Sequence, residues 1–76
     1  MMMKKEITAQ EVVRKFNIPY HTLNYYTAMG LLQVLAKSGN QRMYEEKEVR
    51  SRLRRINTLS KEGYPLHLIR KKIVGI

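Results

Sequence analysis

The stretch Thr8-Ala9-Gln10-Glu11-Val12-Val13-Arg14-Lys15-Phe16-Asn17-Ile18-Pro19-Tyr20-His21-Thr22-Leu23 reads as two short helices joined by a tight turn. Thr8 and Glu11 have the spacing of a capping box, so a helix is expected to begin near Ala9. Val12, Val13 and Phe16 give that helix its apolar face. Asn17 tolerates the left-handed conformation that ends a helix. Pro19 then suits the first turn of a second helix, where its missing N–H costs nothing. Within Tyr20 to Met29, Leu23 and Tyr26 lie three apart and face inward, leaving His21, Thr22, Asn24 and Tyr25 mainly outward. Gly30 closes this helix and Leu31-Leu32 returns the chain to the core.

Beyond it, Gln33 to Ala36 and Gln41 to Tyr44 flank Lys37-Ser38-Gly39-Asn40, whose Gly and Asn suit a hairpin turn. An isolated hairpin is marginal, so this two-stranded wing is expected to lean on the helices through Val34, Leu35, Met43 or Tyr44. From Glu45 on, Val49, Leu53, Ile56 and Leu59 recur at helical spacing and predict a third helix ending at Gly63. Glu46 to Arg50 and Glu48 to Arg52 are favourably ordered (i, i+4) pairs, each worth about 0.3–0.5 kcal/mol. Pro65 opens a fourth helix with Leu66, Ile69 and Ile73 as its inner stripe. The expected fold is mostly α with a small β-hairpin wing: a winged helix-turn-helix of about four helices spanning residues 6–76. Residues 1–5 are expected to form a flexible N-terminus, and the Met1-Met2-Met3 start is either native or added.

A chain of 76 residues makes one domain with a modest core. Its formal charge of +9 favours an anionic partner, nucleic acid first. A hydrophobic share of 43% is too high for a basic disordered tail, so a folded domain is expected. Cysteine is absent, which removes disulfides, thiolate metal sites and thiol nucleophiles together and agrees with a cytoplasmic setting. No apolar run approaches the roughly 20 residues that span a bilayer, so no membrane partner is expected. Asp is absent too, and His21 and His67 have no metal-ligand or triad spacing, so neither an enzyme, a metal site nor a cofactor is expected.

Three segments in order carry a family resemblance. Thr22-Leu23-Asn24-Tyr25-Tyr26 with Met29-Gly30-Leu31-Leu32 resembles the recognition helix of MerR-type transcription regulators, usually Thr-Leu-Arg-Tyr-Tyr-Glu-x-x-Gly-Leu-Leu. Gly39-Asn40-Gln41-Arg42-Met43-Tyr44 resembles the wing pattern Asn-Gly-Tyr-Arg-x-Tyr. Lys61-Glu62-Gly63-Tyr64-Pro65-Leu66 resembles the join between the last two helices. The resemblance covers roughly residues 6–74. It implies double-stranded DNA as partner, transcription regulation, binding as a homodimer at palindromic promoter sites, engagement of RNA polymerase, and a bacterial nucleoid-associated location. Three departures stand out: Asn24 replaces the usual Arg, Thr27 replaces the usual Glu, and the segment between Tyr44 and Ile56 is one residue longer. The chain also stops where full regulators continue into a dimerisation helix and an effector domain.

The DNA-binding candidates follow. Tyr20, His21, Thr22 and Asn24 stand outward on a helix thin enough for the major groove, and Asn24 is able to pair in bidentate fashion with adenine. Tyr25 is the phosphate contact, with Tyr26 in the core. On the wing, Arg42 matches the family's wing Arg and suits backbone or minor groove, with Lys37 and Gln41 beside it. Thr8 either only caps its helix or also presents its hydroxyl to a phosphate. Arg50, Arg52, Arg54 and Arg55 read as a solvated face, and Arg70, Lys71 and Lys72 as complements to a helix dipole. Two other functions fit the composition: an excisionase-like architectural DNA-binding factor of a phage or plasmid, and a protein-interaction module whose basic face docks an acidic partner such as a polymerase subunit, with Leu68, Ile73, Val74 and Ile76 as part of the interface. RNA binding ranks below these, because the aromatics are committed to the helix-turn-helix.

Overall fold

The computed structural model describes residues 5–75. The chain runs β1 (Glu6–Thr8), α1 (Ala9–Phe16), α2 (Tyr20–Ala28), β2 (Ala36–Ser38), β3 (Gln41–Glu45), α3 (Glu46–Lys61) and α4 (Leu66–Val74). Four helices and a small antiparallel sheet make this a mostly helical, winged helix-turn-helix fold. Met1, Met2, Met3 and Ile76, which entered the expectations for the N-terminus and the apolar tail, lie outside the described residues.

Local chemistry sets the first half. Thr8 Oγ1 accepts from Glu11 N at 3.1 Å while Thr8 N donates to Glu11 Oε1 at 2.8 Å, so the capping box is complete and α1 starts at Ala9. Hydrogen bonds from Thr8, its backbone N–H first and its side chain second, hold the Glu11 carboxyl below its usual range. Asn17 takes φ 54°, the left-handed cap that turns the chain from α1 towards α2. Pro19 stands one place earlier than expected. It caps α2 with extended backbone, and its carbonyl accepts from Thr22 N and Leu23 N. At the far end of α2, Gly30 has φ +81°; Gly30 N donates to Thr27 O and Leu31 N to Tyr26 O. This 6→1 and 5→2 pair is the Schellman motif, and it drops Leu31 and Leu32 into the interior.

The sheet departs from expectation in two ways. The hairpin turn is tighter, because Lys37 and Ser38 belong to β2 and only Gly39 and Asn40 connect it to β3. Gly39 has φ +62°, and Asn17 is the only non-glycine with positive φ among the described residues. A positive φ at the first central position alone is the signature of a type II′ turn, whose twist matches its strands. The second departure is β1, which pairs with β3 opposite β2 to give the order β1-β3-β2, with Ile7 across from Tyr44. Three residues ahead of a capping box carry little strand signal of their own; the partner strand makes them a strand.

The main core gathers Ile7, Ala9, Val12, Leu23, Leu32, Tyr44 and Val49 from both sides of the sheet–helix junction. Among the four residues expected to anchor the wing, Tyr44 is fully buried and Met43 half-buried, whereas Val34 and Leu35 are exposed. Alternation along β3 turns Tyr44 into the core, while Val34 and Leu35 lie ahead of β2, whose three residues are all exposed. A second cluster, Leu31, Ile56 and Ile69, joins α3 to α4, with Leu66 and Ile73 packed against it as the spacing implied.

The expected pairs within α3 do not form among the described residues. Glu46, 8% exposed, instead binds Lys15 through a side-chain hydrogen bond and lies 3.7 Å from Lys5 Nζ, while its backbone N donates to Lys5 O at 2.9 Å. Lys15 chiefly, with Lys5 and Arg50 adding to it, holds the Glu46 carboxyl below its usual range against the opposing pull of desolvation. Arg52 likewise turns away from Glu48 and donates to the Leu31 carbonyl at 3.3 Å. Arg70 Nε donates to Met29 O at 2.6 Å, and Arg55 to Lys72 O at 3.5 Å. These guanidiniums satisfy carbonyls at helix ends, which an expectation of a solvated face or a dipole complement misses.

Candidate nucleic-acid interface

The outer side of α2 and the face of the hairpin turned towards it form one continuous polar surface. Arg42 is its centre. Arg42 Nη2 donates to Asn24 Oδ1 at 2.5 Å, tying β3 to α2 across 18 positions of sequence. Its guanidinium also lies over the Tyr20 ring at 5.8 Å and the Tyr44 ring at 5.7 Å from the centroids, within the reach of a cation–π contact. Strand alternation explains the placement: Arg42 and Tyr44 are two apart on β3, so both point to the helix side, Tyr44 into the core and Arg42 above it.

Tyr44 is held in turn by Thr27. Thr27 Oγ1 donates to the Leu23 carbonyl at 2.7 Å and lies 2.9 Å from the Tyr44 hydroxyl. With its one proton committed to the carbonyl, Thr27 accepts from Tyr44. The buried phenol is thereby satisfied, and the ring that supports Arg42 has a fixed position.

A recess of about 330 Å³ opens beside this junction, lined by Thr8, Gln10, Tyr20, Asn40, Gln41 and Arg42. Thr8, Tyr20, Gln41 and Arg42 are thus brought together, with Asn24 joined through its bond to Arg42. Lys37 faces the same way as Arg42, its direct cross-strand partner. His21 and Tyr25 lie exposed along α2, Tyr25 at 56%, and Thr22 is half-buried. These three do not line the recess. Tyr26 turns inward against both apolar clusters, as its spacing implied. Sequence reasoning passed over Gln10 and Asn40 as contributors. Asn40 was legible only as a turn residue, and Gln10 had its position in the first turn of α1 as its sole signal.

The charge around this surface is one-sided. No Asp or Glu occurs between Glu11 and Glu45, while Arg14, Lys15, Lys37 and Arg42 do. Four of the six acids lie at the end of β3 or along α3 or its cap, where Glu46 is already committed to Lys15 and Lys5.

The pattern of MerR HTH family regulatory proteins matches residues 7–74, nearly the whole chain. The chain belongs to that family. Its members are DNA-binding transcription regulators, so DNA-binding regulation is the general activity in which this surface has to be understood. Neither a curated protein nor a solved structure matches the chain. Against the MerR pattern, Thr27 replaces the acid usual in the family and spends its hydroxyl inside the protein on Tyr44 and Leu23. Asn24, in place of the usual Arg, supplies the acceptor for Arg42. Among the described residues no helix is long and apolar enough to cross a membrane, and no cluster of three His, Cys, Asp or Glu has metal-binding geometry.

Proposed function

We propose that this chain is a sequence-specific binder of duplex DNA that serves transcription regulation, with α2 entering the major groove and the hairpin lying on the flanking backbone. The observation that carries this reading is the union of α2 and the wing into a single acid-free surface through Arg42, Asn24 and Tyr20. A helix presenting a few polar side chains is the usual reader of major-groove edges, and cations at its margin neutralise phosphates.

In this reading His21, Thr22 and Tyr20 face base edges and Tyr25 donates to phosphate. Lys37, Gln41 and Arg42 engage the backbone beside the wing. The Thr8 hydroxyl, which accepts from Glu11 N, also lines the recess and meets a phosphate oxygen there. A homodimer on a palindromic site, and contact with RNA polymerase, follow from the family and belong to this proposal.

Fluorescence anisotropy of a labelled mixed-sequence duplex, read from about 50 to about 200 mM salt, tests it, because counterion release makes the log of affinity fall linearly with the log of salt. The expected result is micromolar or tighter binding with a slope of several ions, poor competition by duplex RNA, and a two-to-one stoichiometry on a selected palindrome. No binding at the lowest salt would overturn it.

A further inference from the structure

We infer that Asn24 acts on DNA through Arg42 and makes no base contact of its own: it is the positioning residue that sets the wing arginine at the seam between β3 and α2. The inference rests on the duplex-DNA reading above.

A bidentate pair with adenine needs both ends of the amide, the N–H as donor and the oxygen as acceptor. The oxygen of Asn24 is engaged by Arg42 Nη2, which commits one of its two lone pairs and the orientation of the amide to the wing. The residue usual at this position in the family, Arg, carries donors only and repels a second guanidinium, so it has no means of holding Arg42. Asn exchanges a second cation for an acceptor. The effect is to replace one phosphate-seeking charge on α2 by a fixed orientation of the charge on the wing.

What is fixed matters for recognition. A guanidinium has five N–H donors in a rigid plane, and Asn24 takes one of them. The Tyr20 and Tyr44 rings limit the plane's tilt, and Thr27 secures Tyr44 from behind. No Asp or Glu lines the recess beside Arg42, so the remaining donors are not drawn to an internal carboxylate. An arginine ordered before binding loses less freedom when it closes on a phosphate or a base edge.

The test is a double-mutant cycle on a selected duplex, with wild type, Asn24→Ala, Arg42→Ala and the double variant compared in affinity and salt slope. Each single change is expected to weaken binding about 10-fold, and the double variant to be no more than about twofold weaker than Arg42→Ala. Asn24→Ala should also lower the salt slope as Arg42→Ala does. Losses that multiply to about 100-fold, or an adenine preference erased by Asn24→Ala with the slope unchanged, overturn the inference. So does an Arg42→Ala variant that binds as wild type, although the duplex-DNA reading then stands. A wild-type chain that binds no DNA removes both.

A readout in the free protein separates positioning from general damage. Exchange of the Arg42 side-chain N–H protons, followed by NMR, should be slowed in wild type and in Asn24→Asp, which keeps the acceptor, and released in Asn24→Ala. Equal exchange in wild type and Asn24→Ala overturns the inference even if affinities change.

Discussion

The apolar cluster beneath the reading surface has seven buried members drawn from β1, α1, α2, β3, α3 and the loop after α2, whereas the cluster between α3 and α4 has three. The larger one carries a polar insert, the Tyr44 hydroxyl sealed by Thr27, and supports Arg42, which together with that hydroxyl pair joins wing to helix. The smaller one is apolar, and nearby guanidiniums serve the carbonyls at the adjoining helix ends. Precision is concentrated where three secondary elements must present one surface, and the α3–α4 pair acts as a brace behind it.

Substitutions separate the two regions, starting with the largest effect. Leu23→Ala should destabilise the fold by about 2–5 kcal/mol in urea titration and abolish duplex binding, because α2 loses its buried anchor. Ile69→Ala, equally buried, should lower stability on a similar scale but leave affinity near wild type well below its melting temperature. Equal losses of affinity in both variants would show that the clusters do not divide their work.

Next in size is Thr27→Val, which leaves the Tyr44 hydroxyl buried without its partner and should cost about 1–3 kcal/mol by thermal or urea unfolding. Adding Tyr44→Phe removes the stranded group and should recover most of that loss. If it recovers nothing, the hydroxyl pair is not what couples wing to helix.

Thr8→Ala removes the capping acceptor of α1 and should cost about 1 kcal/mol, read as a lower urea midpoint. The smallest effect concerns acid. Because the Glu46 carboxyl titrates below its ordinary value of 4.5, its stabilising contribution is present above that value and is lost as pH falls through its lowered folded-state value. Melting temperature followed against pH should therefore fall more steeply in wild type than in Glu46→Gln across that acid window. Parallel curves would mean that the Lys15 and Lys5 contacts add nothing to folding.

Much of the fold was legible because its signals are local. The capping box at Thr8 and Glu11, the left-handed Asn17, the Gly30 stop and the stripes of α3 and α4 act over three or four residues, and each stands where the pattern put it. The candidate surface was legible in membership more than in arrangement. Outward placement of His21, Asn24 and Tyr25 follows from helical period, but the bond from Arg42 to Asn24 does not.

By itself, then, the sequence determined the order and kind of the helices, the hairpin, the basic character and the family, since capping, periodicity, turn chemistry and motif are written in neighbouring residues. The tertiary structure alone decided that Glu6–Thr8 becomes a strand, that Glu46 answers Lys15 at a distance of 31 positions, and that Asn24 meets Arg42. The physical reason is common to all three. A pairing between distant residues gains its energy only after the chain has brought them together, so no local pattern announces it.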